Sequence, residues 1–144
     1  MPADARAIFV EAALVAPASK RAAAALARAS LEILLKQLFP DSQARNMQER
    51  IGEIRQHVRP TLWKLLTTLR VVGNDALHSS TDGNVVIDLT GDEDDILDPL
   101  LGAINLLVEE LITQPSAADE IYNMVPENKR RQAEMSAARF TQPD

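Results

Sequence analysis

The amino-acid sequence predicts an all-α protein, an up-and-down bundle of about five to six helices, from three observations. Ala and Leu, both strong helix formers, supply 21 and 18 of the 144 residues. Aromatic residues, which strands favour, make up only 3% of the chain. Apolar residues recur at the three- and four-residue spacing of amphipathic helices. A chain of this length is expected to form one domain with a substantial core.

Four helices are predicted in the first half of the chain. They span residues 4–15, 20–38, 43–58 and 61–72. Ser19 is the predicted N-cap of the second helix, and Asp41 or Ser42 that of the third. The second helix is apolar on most sides, which is typical of a helix at the centre of a bundle. Gly73 interrupts the fourth helix, which can nevertheless continue to His78.

The second half begins with a segment of different character, residues 79–95. It contains two turn signals, and residues 85–89 are predicted to form one short strand or an extended loop. A second core helix is expected over about 93–113, and Pro115 is expected to end it.

The predicted domain organisation is simple. A short helix from the Ser116 cap to Met124 completes a single bundle domain of residues 1–126. Residues 127–144 are a polar C-terminal tail, expected to be partly helical or frayed.

Composition excludes several classes of site. The absence of Cys excludes disulfides, a Cys-ligated zinc site and thiol catalysis, and it fits a cytoplasmic protein. The longest apolar stretches are too short to cross a membrane, so no membrane partner is expected. The acidic run at residues 92–95 does not have the spacing of a calcium loop. No metal or other cofactor is therefore predicted.

The net charge of −6 is unevenly distributed. Residues 1–80 carry 11 Lys/Arg and 7 Asp/Glu, whereas residues 81–144 carry 4 and 14. Two interpretations stay open: ordinary solvated faces, or a mildly basic face opposite an acidic loop. A basic face that could bind nucleic acid would include Arg45, Arg55, Arg59 and Lys64.

The segment LRVVGNDALH, residues 69–78, places Arg70, Asn74 and His78 four residues apart, on one stripe of a continuous helix. One interpretation is a buried polar network that joins helices, or a helix-end cap around Gly73. The other is metal-independent RNA cleavage, because His can act as general base or acid and Arg can stabilise a phosphorane. A two-fold dimer would bring two such sets together.

Arg28 and Glu32 lie one turn apart on the predicted central helix. Charges on a largely apolar helix need a partner, so an Arg–Glu ion pair is expected. An extension of this pair to Glu11, or to Arg70 and His78, stays open. The functional interpretation is that Glu32 orients His78.

Three segments together resemble a known family. EAALVAPASKRAAAALARASLEILLKQL is similar to its opening, a Glu-Ala pair and small-residue turn before an Ala-rich helix with Arg and Leu-Glu. LRVVGNDALH is similar to its hallmark of an Arg, a Gly-Asn pair and a His. The helix over 96–113, followed by IYNMVPENKRR, is similar to its closing pattern. This is domain-of-unknown-function family 4145, and the resemblance covers about residues 8–131.

This family is regarded as related to the HEPN superfamily (higher eukaryotes and prokaryotes nucleotide-binding). The resemblance implies an HEPN-like helical bundle that is often dimeric. It also implies a role in bacterial and phage defence, including fusion to type I restriction subunits. Active HEPN ribonucleases use an Arg and a His separated by four to six residues. Here seven residues, 71–77, separate Arg70 from His78.

We therefore expect a non-catalytic interaction or nucleic-acid-associated module of a defence-related system, forming a homodimer with RNA or a protein as partner. The alternative is a metal-independent endoribonuclease that uses Arg70 and His78 across a dimer. The candidate catalytic residues are Arg70, Asn74 and His78, and the residues expected to support them or to be structural are Glu32, Arg28, Glu11 and Gly73.

Overall fold

The computed structural model describes residues 1–77 and 96–140, and their regular structure is entirely helical, which confirms the all-α prediction. His78 and the predicted strand or loop at 85–89 lie outside the described residues. The helices are α1 (Ala3–Val15), α2 (Lys20–Leu38), α3 (Met47–Glu53), α4 (Pro60–Leu77), α5 (Leu97–Val108), α6 (Gln114–Asn123) and α7 (Glu127–Ala138). A short 3₁₀ turn, Ile54–Gln56, follows α3, and a π-helical turn, Glu109–Thr113, joins α5 to α6.

Helices α1, α2, α4 and α5 form an up-and-down bundle. The buried Ser30 hydroxyl on α2 donates to the Ala5 carbonyl near the start of α1, at 2.7 Å. The Arg21 Nε, near the start of α2, donates to the Ala76 carbonyl at the end of α4, at 2.9 Å. Arg59, beside the start of α4, contacts Glu110 in the π-helical turn after the end of α5. Helices α4 and α5 therefore also run in opposite directions.

The core lies between α2 and the helices around it. Helix α2 packs against α1, α4 and α5, which confirms the central position that its composition predicts. Its inward face buries Leu31, Leu34 and Leu35. The other helices contribute further large buried side chains: Leu62, Leu66, Leu69, Leu100, Ile104 and Leu107. Burial of apolar side chains on this scale is the main force holding the bundle together.

The helix predicted over 43–58 is shorter in the structure, because a better cap lies inside it. Asn46 is the N-cap: its Oδ1 accepts from the Glu49 amide at 3.0 Å, and the Glu49 carboxylate accepts from the Arg45 amide at 2.8 Å. The Asn46 side-chain amide also donates to the Glu49 carboxylate at 3.1 Å. This pairing of an N-cap residue with a Glu three positions later resembles a capping box. Ser42, one of the two predicted caps, instead donates to the Glu53 carboxylate. The predicted cap of α2 is confirmed, since the Ser19 hydroxyl accepts from the Ala22 amide at 3.1 Å.

The prediction that Pro115 ends a helix is wrong. The chain stays helical from α5 through the π-helical turn into α6, and Pro115 lies in the first turn of α6. The Gln114 amide donates to the Glu109 carbonyl five residues earlier. Proline cannot donate to the preceding turn, and a π-helical turn is one of the local rearrangements that accommodate such a gap.

Beyond the bundle, α6 and α7 form an exposed arm. No residue from Thr113 to Phe140 is buried. The two helices meet through side chains: the Tyr122 hydroxyl donates to Glu134 at 3.2 Å, and Arg130 donates to the Asn123 side chain at 2.9 Å. The segment that the sequence predicts as a polar tail therefore contains a regular helix, α7.

Candidate functional site

A shallow cleft of about 220 Å³ lies where α2, α4 and the start of α3 meet. Its lining is almost entirely polar, with the single exception of Met47. The residues around it are Arg28, Asn46, Met47, Gln48, Arg70 and Asn74. Two arginines from different helices and three side-chain amides thus share one opening to solvent.

Gly73 allows the two long helices to approach each other at this cleft. A Cβ atom at this position would lie 2.5 Å from the Arg28 Cβ and 2.8 Å from the Ala24 carbonyl oxygen. Both distances are shorter than van der Waals contact, so only glycine fits between α2 and α4 here. Helix α4 continues through Gly73 to Leu77, and a helix-end cap at Gly73 is therefore excluded. The close approach places Arg28 beside Arg70.

The structure brings Arg70 and Asn74 together, as the stripe predicts. Both side chains are partly exposed and line the cleft. Within residues 1–77 and 96–140, neither forms a side-chain hydrogen bond or an ion pair. His78, the third residue of the stripe, lies outside the described part of the chain. Among the described residues, no carboxylate neutralises the Arg70 guanidinium at the cleft.

Arg28 and Glu32 form the ion pair expected on α2, but the contact is long. The Arg28 Nη1 lies 3.8 Å from the Glu32 Oε2, whereas the Lys36 Nζ lies 2.8 Å from the Glu32 Oε1. The Arg28 Nε is buried and has no hydrogen-bond partner within residues 1–77 and 96–140. Glu11 is exposed on α1 and joins no ion pair in the described ranges. Arg28 is therefore only weakly neutralised.

Cations lower the pKa of Glu32 below its ordinary value. The largest cause is the hydrogen bond from Lys36, and the charges of Lys36, Arg28 and Arg50 act in the same direction. Partial burial of the carboxyl group opposes them. Arg50 and Lys36 are residues that the sequence analysis did not single out. The spacing of Asn46 and Glu49 could have pointed to Arg50. This spacing determines where α3 starts, and therefore which of its side chains face α2.

The lowered pKa of Glu32 makes a prediction for acid stability. The folded state holds the carboxylate, so the unfolded chain takes up the proton first as the pH falls. The contribution of Glu32 is complete above the ordinary glutamate pKa of about 4.3 and is lost as the pH drops through the lowered value. Glu32→Gln should therefore show a smaller loss of melting temperature on acidification than the wild type. Glu11→Gln is the control, and an identical acid profile for both variants would contradict the prediction.

The basic face considered in the sequence analysis is partly engaged elsewhere. The Arg59 backbone amide and Nε donate to the two carboxylate oxygens of Glu110, at 2.7 and 2.8 Å. The Arg55 guanidinium lies over the Trp63 ring, 4.8 Å from its centroid. The Trp63 indole in turn donates to the Ile51 carbonyl at 3.0 Å. Arg28 and Arg70 are therefore better placed than Arg55 and Arg59 to meet an anion.

The described part of the chain contains neither a cluster of metal ligands nor a helix that could span a membrane. No three His, Asp or Glu side chains in this part of the chain come together as a metal site would need. None of its helices has the length and apolar character needed for a bilayer crossing.

Comparison with known proteins identifies a family for this chain. No curated protein and no solved structure matches the chain. A family model described as "Domain of unknown function (DUF4145)" matches residues 10–127, from α1 to the first residue of α7. The match covers most of the chain and includes the whole cleft, and the protein therefore belongs to this family.

Proposed function

We propose that the protein is a small interaction module that binds RNA without cleaving it, and that the α2–α4 cleft holds a phosphate of the bound strand. The observation that carries this proposal is that Arg28 and Arg70 line one open cleft, where the described residues supply little neutralising charge. Guanidinium groups present a planar set of hydrogen-bond donors that matches the oxygens of a phosphate. Hydrogen bonds between oppositely charged groups are also stronger than those between neutral groups.

Local charge favours an anion despite the overall charge of −6. Residues 1–77, which form α1 to α4, carry 11 Lys/Arg and 7 Asp/Glu. Attraction of a polyanion depends on the charges close to the binding surface, because salt screens those more than about 8 Å away. The side-chain amides of Asn74 and Gln48 can add hydrogen bonds to phosphate or ribose oxygens.

The chemistry of the cleft supports binding more than cleavage. Apart from Met47, the side chains that line it are arginines and amides, which bind anions but do not exchange protons at neutral pH. A general base is what RNA cleavage would require, and the candidate for it is His78. The alternative is therefore a metal-independent endoribonuclease in which Arg70 and His78 act across a dimer. The experiment must distinguish RNA cleavage of this kind from RNA binding alone.

The proposal includes a biological setting, which the family resemblance supports. The protein acts in the cytoplasm as a homodimer, within a bacterial or phage defence-related system. A protein partner in such a system is a further proposed ligand of the module.

The test is fluorescence anisotropy with a short labelled RNA in the presence of EDTA. Arg28→Gln and Arg70→Gln should each weaken binding at least several-fold, because each removes one charged contact to phosphate. Arg6→Gln removes the same charge from an exposed position on α1, outside the cleft, and should bind like the wild type. Circular dichroism establishes that each variant is folded.

Three outcomes distinguish the binding module from the ribonuclease. Binding that the cleft variants weaken, with the RNA intact on a gel, supports the binding module. Cleavage in EDTA that disappears in His78→Ala would replace it with the ribonuclease alternative. Equal binding by Arg6→Gln, Arg28→Gln and Arg70→Gln would move RNA binding away from the cleft.

A further inference from the structure

Glu32 lies between two cationic residues on α2, and it contacts them unequally. Arg28 is one helical turn before Glu32, and Lys36 is one turn after it. The Lys36 Nζ donates a hydrogen bond to the Glu32 Oε1 at 2.8 Å. The Arg28 Nη1 lies 3.8 Å from the Glu32 Oε2, which is too far for a hydrogen bond. The Glu32 carboxylate is therefore held mainly by Lys36.

The order of these charges along α2 explains why the two contacts differ. On a helix, an acidic residue four positions before a basic one forms a better ion pair than the reverse order, in agreement with the helix dipole. Glu32 and Lys36 have the favourable order, whereas Arg28 and Glu32 have the reverse order. Lys36 therefore has an advantage over Arg28 in attracting the Glu32 carboxylate.

Of these three residues, only Arg28 lines the cleft. Its side chain is 20% exposed and packs against α4, where its Cδ would lie 3.1 Å from a Cβ atom at Gly73. The Lys36 side chain is 54% exposed and lies outside the cleft. The packing of Arg28 is thus fixed by the two helices, and the contact that can change is the one between Arg28 and Glu32.

We infer that Lys36 is a positioning residue for the phosphate site: it holds the Glu32 carboxylate away from Arg28 and so keeps Arg28 available to the bound strand, which Lys36 itself does not contact. This inference rests on the proposed function and concerns the same cleft. Without Lys36, the Glu32 carboxylate can turn toward Arg28 and form a close ion pair with it. A phosphate must then displace a carboxylate from Arg28, and binding of the strand weakens.

The experiment is a double-mutant cycle on the affinity of the full chain for a labelled single-stranded RNA octanucleotide, measured in EDTA. Lys36→Gln should weaken binding about two- to five-fold, the range that corresponds to one exposed ion pair. Glu32→Gln should bind more tightly than the wild type, because it removes the competing carboxylate. Lys36→Arg keeps a cation beside Glu32 and should bind like the wild type.

The matched control is Lys64→Gln, which removes an exposed lysine on α4 that does not line the cleft. It measures the general effect of one lost positive charge in each background. In the wild-type background, Lys36→Gln should weaken binding more than Lys64→Gln does. In the Glu32→Gln background the two substitutions should have equal effects, since no carboxylate is left for Lys36 to hold.

Two results would overturn this role of Lys36. A loss of the same size from Lys36→Gln in both backgrounds would mean that Lys36 contacts the RNA directly. A loss no larger than that of Lys64→Gln in the wild-type background would mean that Lys36 does not control Arg28. In either case, impaired binding by Arg28→Gln and Arg70→Gln would leave the proposed function standing. Failure of the wild type to bind the octanucleotide would overturn both.

Discussion

Replacing Gly73 with Ala is expected to destabilise the folded protein by about 1–3 kcal/mol, the usual cost of overpacking. In an ordinary helix this change is stabilising, because glycine loses more backbone entropy on folding than alanine does. Here the new methyl group would lie 2.5 Å from the Arg28 Cβ and 2.8 Å from the Ala24 carbonyl oxygen. Neither neighbour is the flexible end of a side chain, so α2 and α4 must move apart.

Gly102→Ala is the matched control for this prediction. Gly102 lies inside α5, and a Cβ atom there would meet no atom within 4 Å. The same substitution should therefore stabilise the protein by about 0.5–1 kcal/mol. Chemical denaturation of both variants measures the two free energies of unfolding. A Gly73→Ala variant as stable as Gly102→Ala would show that the two helices do not require the close approach.

Glu110→Ala is expected to lower the free energy of unfolding by about 1–3 kcal/mol, the cost of losing hydrogen bonds to a charged group. The Glu110 carboxylate accepts from both the backbone amide and the Nε of Arg59. The Glu110 side chain is only 16% exposed, so water replaces these bonds poorly. This contact fixes the π-helical turn to the start of α4, and its loss should loosen both.

Glu109→Ala provides the comparison for that change. Glu109 precedes Glu110 in the same turn, is exposed, and forms no ion pair in the residues that the structure describes. The substitution removes the same charge and the same number of atoms, but it should change the melting temperature little. Equal losses for Glu109→Ala and Glu110→Ala would mean that general charge, and not the contact with Arg59, determines stability here.

Much of the fold follows from the sequence because apolar spacing and caps determine it. The leucines of α2 and α4 have helical spacing, and the Ser19 cap is a local feature. The start of α3 could not be chosen with certainty, since Asp41, Ser42 and Asn46 are all good caps by residue type. Asn46 is selected by its two hydrogen bonds with Glu49: its Oδ1 accepts from the Glu49 amide, and its Nδ2 donates to the Glu49 carboxylate. The prediction that Pro115 ends the helix was wrong because it assumes a regular α-helix up to the proline, whereas a π-helical turn precedes Pro115 here.

The candidate site was predictable only in part. Helical spacing places Arg70 and Asn74 on one face, and the structure has both at the cleft. The partnership with Arg28 depends on the register between α2 and α4, which Gly73 determines through contacts distant in sequence. Arg50 belongs to a third helix whose start the sequence leaves ambiguous. Residues that act together across helices carry no common spacing, so one sequence does not reveal them.

The π-helical turn also changes the angular phase of everything that follows it. Each residue of an α-helix advances the helix by about 100°, and a π-helical turn holds about one residue more than an α-helical one. The side chains of α6 therefore point in directions shifted by about 100° from those that an unbroken helix would give. A helical wheel drawn across Leu97–Asn123 assigns the residues after Thr113 to the wrong faces. Deleting one residue within Glu109–Thr113 would restore the α-helical phase and turn the entire arm about the axis of α5.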